Sequence, residues 1–208
     1  MKKVILFVLA ILGWVTLIVR LYLRITESNF TPLESTIQFF SYFTILTNLL
    51  VTVYCTIQLS RLFNGSKNNR PESLTALTVF ILIVGIVYHV ALKPIWNPEG
   101  LHMILSEIHH TVVPLGTALL WISDPNKNKL DLKRLLLWLI YPILYISFVL
   151  IRGNFSDFYP YPFLNVNELG LSSVIKNSLL LLGIMIIMLV GFYLIGSKWK
   201  KKTVANKV

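Results

Sequence analysis

Six runs of mostly apolar residues, at 4–23, 37–59, 74–92, 103–122, 135–151 and 174–195, restrict this chain more than anything else in it. A helix rises about 1.5 Å per residue, so about 20 apolar residues cross the roughly 30 Å hydrocarbon layer of a bilayer. Lipid offers the backbone no hydrogen-bond partner, so such runs form helices, which satisfy their own N–H and C=O groups. The expected fold class is all-α: a polytopic membrane protein, a bundle of six transmembrane helices that takes up residues 1–208 as one domain.

Composition agrees. The 208 residues are 55% hydrophobic and 13% charged, where a soluble domain carries about a quarter of its residues charged. The net charge of +10 would suit nucleic acid if it lay on one soluble face, but its distribution excludes that partner. Threading the runs alternately puts 14 of the 19 basic residues on one side, including Lys2, Lys3, Arg61, Lys67, Arg70 and the lysines of the tail. Arg20, Arg24, Lys93, Arg152 and Lys176 fall on the other. By the positive-inside rule both termini face the cytoplasm, with the cell membrane as the location if the source is bacterial. The basic tail, 196–208, is then placed to lie on anionic inner-leaflet lipids. Met1 to Lys3 before an apolar run could open a signal peptide, but the run is long and lacks an A-x-A-like site. The lone Cys55 allows no internal disulfide and reads as a small apolar filler.

Against this background the polar residues inside the runs stand out. HMILSEIHHTVVP, 102–114, holds three of the four histidines together with Glu107. Ionisable groups at such depth tend to face a bundle interior or a wet cavity. The second run carries Thr44, Asn48 and Thr52 at helical spacing, along one stripe. His89 lies late in the third run; Pro142, Tyr141 and Tyr145 belong to the fifth, and Arg152 directly follows it. Counted from the outer helix ends, Thr44 and His110 both lie roughly 10 Å deep, Tyr145 roughly 9 Å and His89 roughly 5 Å. Several helices thus direct polar groups at one layer of the outer half.

Three chemistries fit such a layer. Glu107-x-x-His110 matches half of a di-metal carboxylate element, but the carboxylates of the other half are missing. A zinc held by His89, His109, His110 and Glu107 is an alternative without diagnostic spacing, and nothing marks a haem ligand pair; no metal or cofactor is expected. Nucleophilic catalysis fits better. A threonine hydroxyl needs an adjacent base, and imidazole is the usual one. Thr44 and His110 supply the pair, Glu107 or a tyrosine orients the imidazole, and Asn48 faces a developing oxyanion. Arg20, Lys93 or Arg152 would hold a lipid carboxylate at the outer interface. The rival from another class is a small-solute or proton-coupled transporter, for which buried Glu, His and Tyr also suit.

SYFTILTNLL in the second run, HHTVVP in the fourth, and YPILYISFVLIRG followed by YPYPFL resemble the androgen-induced protein family and its bacterial six-helix relatives. The similarity runs in order from the second helix to the last loop. It implies an integral-membrane hydrolase that cleaves fatty-acyl esters of hydroxy fatty acids with a threonine nucleophile and a histidine. Tyr42-Phe43-Thr44 matches the family threonine, and His110-Thr111 with Pro114 matches the family histidine. Asn48 stands four residues after Thr44 where animal members have three, which leaves Thr47 as the alternative nucleophile.

Overall fold

The computed structural model describes residues 1–65 and 70–205, with side chains through Lys198. Lys67 and the side chains of the tail from 199 onward, on which the proposed inner-leaflet contact depends, lie outside the described residues. Helices make up the architecture, and no strand occurs among the described residues. Seven are named here: α1 (Lys2–Thr26), α2 (Pro32–Phe40), α3 (Phe43–Phe63), α4 (Pro71–Leu92), α5 (Gly100–Ile122), α6 (Leu132–Ser156) and α7 (Leu171–Ala205). All but α2 are long and apolar enough to cross a membrane.

Local chemistry sets several of the starts. Pro32 and Pro71 occupy first-turn positions, where a missing N–H costs nothing. The Thr31 hydroxyl accepts from Glu34 N at 3.2 Å, and the Asp131 carboxylate accepts from Arg134 N at 2.9 Å. α4 is the central post, with most of its length buried, whereas α7 lies on the rim with few of its described residues buried. Its Phe80, Val79 and Ile81 pack with Leu6 of α1, Leu120 of α5 and Leu189 of α7. The outward faces are apolar as well, with Ile18, Leu119, Leu144 and Ile187 exposed, the opposite of a bundle built for water.

Where the run at 37–59 predicts one helix, the structure contains a break. The α2 end tightens, with Ser41 N donating to Gln38 O at 3.1 Å, and Tyr42 is extended at φ −85°, ψ 126° before α3 restarts. Neither Gly nor Pro causes this. Two tyrosines from distant segments take over the backbone groups that a continuous helix would have paired. Tyr145 of α6 donates to Ser41 O at 3.0 Å, and Tyr161, in the 157–170 connection, accepts from Thr44 N at 3.1 Å.

Prolines account for other irregularities. Pro142 follows a 3₁₀ turn, Leu137–Leu139, which absorbs its missing hydrogen bond. Pro114 cannot donate to His110 O, and α5 widens into a π-turn over Ile108–Val112. The freed His110 carbonyl faces Gly85 of α4, where a Cβ would sit 2.7 Å from it. Glycine there lets α4 and α5 approach at the histidine.

Candidate active site

At one end of the bundle the 27–31, 93–99 and 157–170 connections gather around a cavity of about 610 Å³. That is within the roughly 300–1,000 Å³ of small-molecule sites. Thr44 and His110 both line it, as do Arg20, Arg24, Tyr88 and Tyr161. Thr44 also lines a second, smaller pocket of about 60 Å³ walled by apolar side chains such as Ile83, Leu181 and Met185. Thr44 therefore lines both a cavity that carries arginine, histidine and tyrosine side chains and a second one that is almost wholly apolar.

The helix break gives Thr44 its chemical freedom. It is the second residue of α3, and the first N–H groups of a helix lack intrahelical partners. Thr44 N and Oγ1 both lie 3.1 Å from Tyr161 Oη. Thr16, Thr52, Thr75, Thr78 and Thr117, by contrast, donate to carbonyls one turn back at 2.7–2.8 Å. Thr47 has no access to either space: it is 0% exposed and its hydroxyl bonds Tyr141 Oη at 2.9 Å. Of the two threonines open in the sequence, Thr44 faces the cavity.

His110 is fixed from two sides. Its Nδ1 donates to Ser106 O at 2.8 Å, and its ring stacks on Tyr88 with centroids 3.9 Å apart. With Nδ1 carrying the proton, Nε2 is the basic nitrogen. No hydrogen bond joins Nε2 to Thr44 among the described residues; the two groups share the cavity wall.

The other expected site residues divide. Arg20 enters the cavity, donates to Ser106 Oγ at 3.2 Å and lies 5.8 Å over the Trp96 ring. Arg24, which was not among the expected site residues, is there too and donates to Gln38 Oε1. Asn48 faces no oxyanion: both amide hydrogens go to backbone, to Thr44 O at 2.8 Å and His109 O at 3.3 Å, which ties α3 to α5. Tyr145 lines the apolar pocket and holds the helix break.

Glu107 does not orient His110. Its carboxylate accepts from Lys93 Nζ at 2.6 Å and from Thr111 Oγ1 at 2.7 Å, and His89 Nε2 meets the same threonine hydroxyl at 2.9 Å. These four side chains form a chain outside the cavity, so His89, Glu107 and Lys93 leave the site together. Arg152 leaves it as well, pairing with Glu34 Oε1 at 2.6 Å beside Phe158. The reason is rotational: depth along a helix says nothing of which way a side chain turns. His109 points to α1, with Nε2 2.9 Å from Thr16 Oγ1, and no three His, Cys, Asp or Glu side chains converge as metal ligands among the described residues.

Tyr161 is the contact that sequence reasoning missed. It lies in the 157–170 connection, which caps the cavity, is 7% exposed, and stacks on Phe163 at 5.1 Å. Its only signal was the aromatic and proline density of YPYPFL. Compared with known proteins, the chain matches no family model, no curated protein and no solved structure.

Proposed function

We propose that the protein is an integral-membrane hydrolase of fatty-acyl esters, with Thr44 as nucleophile and His110 as general base and then acid. The observation that carries the reading is a threonine whose hydroxyl meets a tyrosine rather than its own helix, and a histidine whose proton sits on Nδ1, on the wall of one cavity. In this reading the six apolar helices cross the bilayer, both termini face the cytoplasm, and the cavity opens at the outer interface. An ester carbonyl enters between the two residues. Thr44 Oγ1 attacks as its proton passes to His110 Nε2, and the alcohol leaves with that proton. Water then attacks the acyl-threonine, again through His110, and restores the hydroxyl.

The α3 N-terminus supports this, because its N–H groups and dipole favour the negative charge that develops on the carbonyl oxygen. The apolar pocket beside Thr44, at about 60 Å³, suits the first methylenes of a hydrocarbon chain. Arg20 and Arg24 suit an anionic group on the substrate, since the nearby Glu27 carboxylate is engaged by His102 at 2.9 Å. A transport path draws less support: below Thr44 the pocket is apolar, and the threonines deeper in α3, Thr52 and Thr56, donate to their own helix.

The test is hydrolysis of p-nitrophenyl laurate by purified protein in nanodiscs, with fluorophosphonate labelling and peptide mapping. Label on Thr44, and loss of at least about 10²-fold in kcat in Thr44→Ala and His110→Ala, is the expected result. Full activity in either variant overturns the reading.

A further inference from the structure

We propose that Tyr161 is a third catalytic residue, whose phenol donates a hydrogen bond to Thr44 Oγ1 and then to the carbonyl oxygen that Thr44 attacks. This rests on the hydrolase reading above and names a group that the reading does not require.

Hydrogen accounting leads to it. Tyr161 Oη accepts from Thr44 N at 3.1 Å, which uses one lone pair and fixes the phenol over the first turn of α3. Between Tyr161 Oη and Thr44 Oγ1, also 3.1 Å apart, one hydroxyl donates and the other accepts. If Thr44 donates, its proton points at the phenol and is withheld from His110. If Tyr161 donates, the Thr44 proton is free to turn into the cavity that His110 lines. Only the second arrangement supports proton transfer to imidazole, and it also places a donor on the oxygen that must become nucleophilic.

The ring is built in rather than resting on the surface. It stacks on Phe163 with an interplanar angle of 5° and meets Tyr42 edge-on at 5.7 Å. It lines both the cavity and the apolar pocket, as Thr44 does, so an ester bound at Thr44 touches it. Burial pushes the phenol up to about 12, which keeps it protonated and a donor at neutral pH.

The electrons and protons balance. The Thr44 proton goes to His110 Nε2 as the Oγ–C bond forms, and the carbonyl pair moves onto oxygen. That oxyanion takes a hydrogen bond from the Tyr161 O–H, which rotates about its C–O bond while Oη keeps the bond from Thr44 N. When the ester C–O bond breaks, the pair returns, the alcohol leaves with the His110 proton, and the O–H rotates back. Tyr161 transfers no proton at any step.

The experiment is Tyr161→Phe in nanodiscs, with p-nitrophenyl laurate as substrate, beside Tyr159→Phe as a cap tyrosine that lines neither space. Removing one donor to an oxyanion typically costs about 10²–10³-fold in kcat. Tyr161→Phe is expected to lose about that much with KM little changed, while Tyr159→Phe stays near wild type. Incorporation of 3-fluorotyrosine at position 161 keeps the ring and makes the phenol more acidic, so kcat shifts with donor strength; a purely structural hydroxyl leaves it unmoved. Full kcat in Tyr161→Phe with Thr44→Ala and His110→Ala inactive overturns this proposal alone. A wild type without hydrolysis, or an active Thr44→Ala, overturns the hydrolase reading and this proposal with it.

Discussion

A threonine within a helix ordinarily donates its hydroxyl proton to the carbonyl one turn back, and most threonines here do so. Thr44 has no such carbonyl in its own helix, and Thr47 is held by Tyr141. Their substitutions should separate cleanly. Thr44→Val is expected to abolish ester hydrolysis with the smaller change in the thermal melt, because Tyr161 keeps the bond from the residue 44 N–H and lines the cavity, where water can pair its hydroxyl. Thr47→Val should keep hydrolysis but leave the buried Tyr141 hydroxyl unpaired, which destabilises by about 1–3 kcal/mol, read as a lowered Tm. Glu107 gives a second contrast, since it serves Lys93 and Thr111. Glu107→Gln is expected to leave the acid limb of the kcat/KM pH profile in place; a downward move of that limb would show that Glu107 acts on His110 after all. The Glu107 hydrogen bond raises the Lys93 ammonium above its ordinary range. A raised value in the folded state means that the stability this pair adds is fully present below the ordinary lysine range and is lost as pH rises through the raised one. The pair is exposed, so that contribution is small.

At the scale of elements, two irregularities make the site: the break before α3 and the π-turn in α5. Pro114→Ala supplies the N–H that His110 O lacks and relieves the proline in mid-helix. Its expected result is a Tm equal to or above wild type with kcat down about 10²-fold, because the imidazole turns away from Thr44. Tyr145→Phe removes the donor to Ser41 O, and a Tm lowered by the loss of one buried hydrogen bond is expected. The six long helices were legible because run length against bilayer thickness is a one-dimensional property. The shared depth of Thr44 and His110 was legible for the same reason. What was not legible was azimuth, which sends Glu107 and His89 out of the cavity and brings Arg24 in. Nor was the break at 41–42, since the residues that hold it, Tyr145 and Tyr161, lie more than 100 positions away. Pro114 was visible, but its effect on the His110 carbonyl needed Gly85 across the interface.

For the whole molecule, the ends differ. One carries the cavity; the other is cross-linked by Lys2 to Asp124 at 3.1 Å and by Glu72, which accepts from Asp131 N at 3.1 Å. The single cysteine, Cys55, is 0% exposed, so topology can be read with one introduced thiol at a time. In whole cells Asn29→Cys is expected to react with an impermeant maleimide, and Lys129→Cys only after permeabilisation. The reverse pattern would invert the orientation assigned from charge.

The break before α3 also sets a timetable. A chain is made from its N-terminus, and the segment holding Thr44 is complete long before Tyr145 and Tyr161 exist. In the hydrolase reading, until they arrive the backbone around Ser41 and Thr44 would find its partners in lipid only by closing into an unbroken helix. There the Thr44 hydroxyl would bond back to its own chain as the other threonines do. The proposed nucleophile would then be disarmed until the 157–170 connection is made, and that connection would arm it.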